Sequence, residues 1–147
     1  MYLLDTNHCS RLILGDASLI LRLSEIPRDR IYTCAIVAGE LINMAEQSQQ
    51  RAQNILLVKN FLNGIYIHSL DSGTADIYGN LKAAVFDKFA PRDKNKRRKF
   101  TVQNIGFGEN DLWIAATAIQ HNLTIITADR DFQRIQEVQP LALDSWM

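Results

Sequence analysis

Residues 123–131 of the chain read LTIITADRD. The first five of these residues are aliphatic or β-branched, and they give the strongest strand signal in the sequence. The polar residues after them predict a turn out of the strand, so Asp129 follows its carboxyl end. The N-terminal residues repeat this arrangement, because Tyr2, Leu3 and Leu4 predict a short buried strand and Asp5 follows it directly.

Strands and helices alternate along the rest of the sequence. Further strands are expected at residues 31–34 and 65–67, and helices at residues 9–14, 18–26, 36–47, 51–62, 69–89 and 109–121. Asp71 or Ser72 is the expected cap of the helix at residues 69–89. This alternation is typical of the α/β fold class, in which a central, mostly parallel β-sheet is flanked by helices on both faces.

The composition predicts a single domain over residues 1–147. With 147 residues and 47% hydrophobic content, the chain is long enough to bury a sizeable core. Sixteen Lys plus Arg residues balance sixteen Asp plus Glu residues, so overall charge gives no argument for a nucleic-acid partner. Residues 92–99, six of which are basic, form a local positive patch, and we expect a loop or a frayed helix end there.

Cysteine usage and hydropathy bear on the compartment. Cys9 and Cys34 have the spacing of neither a disulfide framework nor a zinc site, so both are expected to be buried free thiols. No Lys- or Arg-flanked signal sequence opens the chain, and no apolar stretch is long enough to span a bilayer. We therefore expect no membrane partner and a cytoplasmic location.

Four acidic residues, Asp5, Glu40, Asp111 and Asp129, are far apart in the chain, yet each lies at a strand end or a helix start beside apolar sequence. In open parallel sheets, sites form outside the carboxyl ends of the strands, which brings Asp5 and Asp129 together. Asp111 shares a helix face with apolar residues three, four and seven positions later, so its carboxylate is turned toward the sheet.

Each acid alone has a simpler explanation as a cap, as a partner of a helix N-terminus or as a solvated side chain. Together they indicate a metal site, because carboxylates gathered at the edge of an apolar core are unfavourable unless cations neutralise them. An all-oxygen ligand set favours hard divalent cations, so Mg2+ or Mn2+ is the expected cofactor.

The same acids carry a resemblance to a known family. Over nearly its whole length, the chain resembles the PIN-domain family, and within it the VapC-like ribonuclease toxins of type II toxin–antitoxin pairs. The blocks that carry the resemblance are Leu3-Leu4-Asp5-Thr6-Asn7, Ala38-Gly39-Glu40-Leu41, Asn110-Asp111-Leu112-Trp113-Ile114-Ala115-Ala116 and Thr127-Ala128-Asp129-Arg130-Asp131-Phe132. The resemblance implies that residues 1–147 form one PIN-like nuclease domain.

The resemblance implies an endoribonuclease that depends on Mg2+ or Mn2+ and leaves a 5'-phosphate and a 3'-hydroxyl. The catalytic and metal-binding residues would be Asp5, Glu40, Asp111 and Asp129, with Asp129 completing a cluster begun by the other three. Thr6, Asn7 and Thr127 would orient carboxylates or substrate. Asp131 has two open roles, since it either assists the metal or caps a short helix at residues 132–136.

The sequence departs from the family pattern at residues 90–105, which are longer and more basic than expected between the middle helix and the third acidic block. This departure leaves the choice of RNA substrate open. The residues in question are Lys96, Arg97, Arg98 and Lys99, which either bind RNA phosphates or form a solvated loop.

The resemblance further implies two protein partners. One is a cognate antitoxin that covers the acidic cleft with a chain segment and places a basic side chain against the carboxylates; the other is a second copy of the chain in a homodimer. Apolar residues on the early helices belong either to such interfaces or to the core, and these are Leu19, Ile20, Leu23, Ile55 and Leu62. The three histidines, His8, His68 and His121, are expected at the surface or in packing.

Two other functions stay open at this point. A PIN-like module that binds RNA or a partner without catalysis would be expected to lack some of the four acids, whereas all four are present. An aspartyl-phosphate phosphotransferase also carries an Asp after its first strand. However, Asp5-Thr6-Asn7 lacks a second Asp two residues on, and no Lys follows a late strand in the expected setting.

Overall fold

The computed structural model describes residues 1–147. Strands and helices alternate, with a 3-10 turn at Arg28–Arg30 before the second strand. In chain order the elements are β1 (Tyr2–Leu4), α1 (Thr6–Ile13), α2 (Ala17–Ser24), β2 (Ile31–Cys34), α3 (Ala35–Glu46), α4 (Arg51–Asn63), β3 (Tyr66–His68), α5 (Ser72–Phe89), α6 (Lys94–Lys99), α7 (Val102–Ile105), α8 (Glu109–His121), β4 (Thr124–Ile126), α9 (Arg130–Gln136) and β5 (Leu143–Asp144).

All five strands form one parallel sheet in the order β3-β2-β1-β4-β5. The central strand is β1, in which Leu3 pairs with Tyr32 of β2 on one side and with Ile125 of β4 on the other. The predicted α/β class with a central parallel sheet is therefore confirmed. Because β1 and β4 are adjacent and parallel, the residues that follow them leave the sheet at the same edge.

The central strands are buried on both faces. Leu3 and Leu4 of β1, and Ile125 and Ile126 of β4, are 0% exposed. Successive side chains of a strand point to opposite faces, so helices must cover both sides of the sheet. Helices α1 to α4 pack against one another, and α5 and α9 both pack against α8. Burial of these apolar side chains is the main favourable contribution to the stability of the fold.

Most predicted elements agree with the structure to within a few residues, and α8 has the predicted bounds. The side chain of Asp71 caps α5, as predicted, by accepting a hydrogen bond from the backbone N–H of Thr74. Helix α1 begins at Thr6 rather than at residue 9, because the Asp5 carboxylate caps its first turn. Strand β5 was not predicted, since two residues carry no periodicity and pair only in the context of β4.

Within the basic run at residues 92–99, Lys94–Lys99 form a helix of their own. The side chain of Asp93 caps α6 by accepting hydrogen bonds from the backbone N–H groups of Asn95 and Lys96. The prediction of a loop or a frayed helix end there is wrong. A capping carboxylate satisfies two free N–H groups and adds a negative charge beside a run of like charges, and both effects favour the helix.

The structure also decides which of the uncertain apolar residues are buried. Leu19 and Leu62 belong to the core, whereas Ile20 is 47% exposed; Leu23 and Ile55 are half-buried against the core. Cys9 and Cys34 are buried free thiols, as predicted. None of the helices combines the length and the apolar character that crossing a membrane requires.

Candidate metal centre

A cleft of about 420 Å³ opens at the edge of the sheet where β1 and β4 end. All four predicted acids line it, although they come from the ends of two strands and from two helices. The full lining consists of Asp5, Thr6, Asn7, Glu40, Asn43, Met44, Asn110, Asp111, Ile114, Asp129 and Phe132. Of the residues predicted to support the acids, Thr6 and Asn7 thus also face the cleft.

Asp5 is the most enclosed of the four carboxylates, with 4% of its surface exposed. It is the N-cap of α1, and its Oδ1 atom accepts a hydrogen bond of 2.8 Å from the backbone N–H of His8. The Nδ1 atom of the His8 ring lies 2.9 Å from the same oxygen. The Oδ2 atom accepts no hydrogen bond from the protein, so it stays available to a ligand in the cleft.

Glu40 is held by one donor at each carboxylate oxygen. The hydroxyl of Thr6 donates to Oε2, and the side-chain amide of Asn110 donates to Oε1 over 2.8 Å. These contacts join α3 to the first turns of α1 and α8. Asn110 is a supporting residue that sequence reasoning did not single out, although it stands next to Asp111 in the third signature block.

Asp111 lies in the first turn of α8 and is partly buried. The pKa of its carboxyl group is raised to about 6, mostly by burial and next by the nearby negative charge of Asp129, with smaller contributions from Asp131 and Glu40. The raised pKa thus reflects both the loss of solvent around this carboxyl group and the other acids beside it.

Asp129 and Asp131 complete the acidic cluster. Oxygens of Asp111, Asp129 and Asp131 all lie within 4.8 Å of one another. The tightest group of acids is therefore this one, and it includes Asp131 rather than Asp5 and Glu40. Thr127, which is buried, fixes the turn by accepting a hydrogen bond of 3.0 Å from the backbone N–H of Asp129.

Asp131 does not cap a helix. The N-cap of α9 is Asp129, whose Oδ1 accepts from the backbone N–H of Asp131 over 2.9 Å. The capping alternative for Asp131 is thus wrong. The carboxylate of Asp131 lies near those of Asp111 and Asp129, and it also lies 3.6 Å from the guanidinium of Arg134.

The donor set of the cleft fits a hard divalent cation. Its candidate ligands are carboxylate oxygens, and no salt bridge compensates Glu40, Asp111 or Asp129. Oxygen-only sites of this kind suit Mg2+ or Mn2+ better than softer metals. Besides burial, the neighbouring acids raise the pKa of Asp111, as expected where several carboxylates share one cleft.

The predicted RNA-binding residues do not line the cleft. Lys96, Arg98 and Lys99 are exposed on α6 and form no salt bridge. Arg97 differs from them, because its guanidinium donates to Asp87 over 3.1 Å and lies 5.0 Å from the ring centre of Phe86. Three of the four predicted RNA-binding side chains therefore have no acidic partner, whereas Arg97 anchors the helix to α5.

The three histidines have different surroundings. His68 and His121 stack on each other with ring centres 3.8 Å apart, which is the packing role expected of them. His8 is fully buried and contacts a predicted metal ligand. Sequence reasoning missed this contact, although its position three residues after an N-capping Asp is where a side chain turns back toward the cap.

These features define a class of protein: α/β domains with an acidic cleft at the carboxyl edge of a parallel sheet. The chain belongs to the PIN-domain family, whose model matches residues 2–138.

Two relatives named as ribonucleases match nearly the whole chain. The chain is 30% identical over 143 residues to ribonuclease VapC1 of Haemophilus influenzae, with 95% of each chain covered. It is 27% identical over 149 residues to ribonuclease VapC2 of Rickettsia felis, with 99% of this chain and 98% of the relative covered.

Solved structures agree with this assignment. A crystal structure of VapBC2 from Rickettsia felis bound to a promoter DNA fragment matches with a TM-score of 0.80 and 26% identity, covering 99% of this chain and 98% of the other. The structure of VapBC-1 from nontypeable Haemophilus influenzae matches with a TM-score of 0.76 and 27% identity, covering 99% and 97%.

Proposed function

We propose that the chain is a divalent-metal-dependent endoribonuclease and the toxin component of a toxin–antitoxin pair. The observation that carries the proposal is that four carboxylates from four separate elements line a single cleft. Membership of the PIN-domain family supports it, as does 30% identity over 95% of the chain to a protein named as a ribonuclease.

In this proposal the acidic residues hold Mg2+ or Mn2+ and carry catalysis. The ligands are Asp5, Glu40, Asp111 and Asp129, and Asp131 assists them from the neighbouring turn. A divalent cation bound there would lower the pKa of the attacking water and neutralise negative charge on the phosphodiester.

The remaining residues of the cleft hold the carboxylates and the substrate. Thr6 and Asn110 fix both oxygens of Glu40, so that this side chain does not rotate away from the cleft. Thr127 fixes the turn that carries Asp129. Asn7 is exposed at the cleft and forms no hydrogen bond with the protein, so its amide is free to donate to a phosphate oxygen. Cleavage is expected to leave a 5'-phosphate and a 3'-hydroxyl.

Helix α6 would contact the RNA backbone outside the cleft. Its free cations, Lys96, Arg98 and Lys99, suit phosphate groups, which give affinity without reading sequence. Arg97 contributes indirectly in this proposal, because it holds the helix to Asp87 and Phe86.

A cognate antitoxin and a second copy of the chain are the proposed protein partners. The solved relatives are VapBC complexes, and an apolar groove between α1, α3 and α4 adjoins the acidic cleft at Met44, which lines both. An extended antitoxin segment that fills the groove would reach the carboxylates with a basic side chain. One domain over residues 1–147, a homodimer and a cytoplasmic location, where RNA substrates occur, belong to the same proposal.

Cleavage of end-labelled total RNA by the purified, antitoxin-free protein tests the proposal. The reaction is run with Mg2+, with Mn2+ and with EDTA, alongside Asp5→Asn and Asp111→Asn. Asp76→Asn is the matched control, since Asp76 is an exposed carboxylate on α5 without a salt bridge. Discrete fragments that need the cation, vanish in the two cleft variants and persist in the control are expected.

Folded protein that leaves all RNA intact under these conditions would contradict the proposal and favour a binding module. Full activity of Asp5→Asn would contradict the assignment of the site.

A further inference from the structure

His8 stands at the one position where a fully buried polar side chain contacts an acid of the cleft. Its ring is 0% exposed, and the side chain of Asp5 is 6% exposed. Both the backbone N–H and the ring Nδ1 of His8 reach the same oxygen of Asp5, at 2.8 and 2.9 Å. A single residue therefore makes two hydrogen bonds to one carboxylate oxygen.

The direction of the ring contact follows from its chemistry. A carboxylate oxygen accepts hydrogen bonds, so Nδ1 carries the hydrogen and donates it to Asp5. The other ring nitrogen, Nε2, is buried and has no hydrogen-bond partner. A buried polar atom without a partner costs free energy, and an apolar side chain of similar size would avoid that cost. Packing alone therefore gives no reason for a histidine here.

The second hydrogen bond restricts the orientation of the carboxylate. With only the backbone N–H as donor, the group could rotate about its Cβ–Cγ bond while keeping Oδ1 within reach. A second donor from a fixed ring determines the plane of the carboxylate. The Oδ2 atom is then held in one place, without a protein partner, in a residue that lines the cleft.

Other acids of the cleft are held in a comparable way by neutral donors. Glu40 is fixed by Thr6 and Asn110, and Asp129 by the backbone N–H of Asp131. Groups that orient metal ligands without touching the metal commonly change metal affinity 10- to 100-fold when they are removed.

We infer that His8 is a positioning residue, whose Nδ1–H fixes the carboxylate of Asp5 so that Oδ2 alone is presented to the cation. This inference rests on the proposed function, because it assigns Asp5 to the metal. His8 is not a catalytic base, since its ring reaches the cleft only through Asp5.

Binding of Mn2+ alone, measured by electron paramagnetic resonance at a temperature where every variant is folded, tests the inference. His8→Leu fills the space but has no donor, and we expect its affinity for Mn2+ to fall about 10- to 100-fold. His8→Asn keeps a side-chain N–H close to the place of Nδ1, and we expect its affinity to stay within about threefold of the parent. His8→Gln carries its amide further out and should resemble His8→Leu.

Thermal unfolding in EDTA separates positioning from a merely structural role. His8→Leu removes a buried unpartnered nitrogen and also one hydrogen bond to Asp5, so the two effects on stability oppose each other and its melting temperature should change little, although its Mn2+ affinity falls. Cleavage of RNA by this variant should approach the parent rate at saturating Mn2+.

Equal Mn2+ affinity in His8→Leu and the parent, with Asp5→Asn defective, would overturn the role of His8 and leave the proposed function intact. A parent protein that binds no Mn2+ would overturn both. If His8→Leu does not fold, an unchanged affinity in His8→Gln would likewise overturn the inference.

Discussion

The guanidinium of Arg134 lies 4.4 Å from the ring centre of Phe107 and donates a hydrogen bond of 2.7 Å to the carbonyl oxygen of Ile105. Arg134 belongs to α9, whereas Phe107 lies in the loop that leads into α8. Gly106, which lies between Ile105 and Phe107 in the sequence, has a φ of +97°. A Cβ atom at this residue would lie 3.3 Å from the guanidinium of Arg134. The arginine therefore links the loop that leads into α8, the helix of Asp111, to α9, the helix of Asp131.

Replacing Arg134 by Leu is expected to lower the free energy of unfolding by about 1–3 kcal/mol, because it leaves a carbonyl group without its donor and removes the contact with Phe107. Arg134→Lys should recover only part of this, since an ammonium lacks the planar fork. Urea unfolding measures both variants. The matched control is Arg130→Leu, an exposed residue of the same helix without a salt bridge, which should stay within about 0.5 kcal/mol.

The raised pKa of Asp111 predicts that this proposed metal ligand lowers the stability of the metal-free protein near neutral pH. Its folded value is about 6 against an ordinary value of 3.8, so the folded state holds its proton more tightly than the unfolded state does. Stability therefore falls as the pH rises from about 4 to about 6. The full shift corresponds to about 3 kcal/mol, which solvent at this partly exposed group reduces to about 1–2 kcal/mol.

Asp111→Asn should accordingly be more stable than the parent in EDTA at pH 7, by about 1–2 kcal/mol, and nearly equal to it at pH 4. Urea unfolding across this pH range measures the difference. Addition of Mg2+ should stabilise the parent and not the variant, because only the parent keeps the full set of carboxylates. An advantage of the variant that is independent of pH would contradict the explanation.

The basic side chains of helix α6 are expected to contribute unequally to RNA binding. Neutralising the free side chains Lys96, Arg98 and Lys99 with Gln should weaken binding at low salt and reduce the slope of log K against log salt by about one for each phosphate that the variant no longer neutralises. Arg97→Gln should change the slope less and the stability of α6 more, because Arg97 is already paired with Asp87. Identical slopes in the triple variant and the parent would indicate a solvated helix.

The sequence allowed the central part of the fold to be predicted because its strands are apolar enough to stand out. The residues of β1, β2 and β4 are mostly β-branched or aliphatic, and a parallel sheet then brings Asp5 and Asp129 to one edge. Helix α6 could not be predicted in this way, since a run of like charges is unfavourable in a helix until a cap such as Asp93 is considered.

The supporting contacts of the site were beyond sequence reasoning for a different reason. Asn110 and Glu40 are 70 residues apart, and only the packing of α8 against α3 brings their side chains within 2.8 Å. The tight group of Asp111, Asp129 and Asp131 likewise depends on the angle at which α9 leaves β4, which no periodicity reports. The contact of His8 with Asp5 differs from these, because the spacing of three residues from an N-capping Asp is a local signal that could have indicated it.

The strand order has a consequence for the chain as it is synthesised. One of the two neighbours of the first strand is β4, which lies at residues 124–126, and Asp129 follows it. A ribosome that has made the first hundred residues has produced Asp5 and Glu40 but neither Asp111 nor the strand that positions Asp129. The four acids of the proposed nuclease therefore come together only after residue 129 has been made, and a product that ends before that residue lacks the complete set of carboxylates.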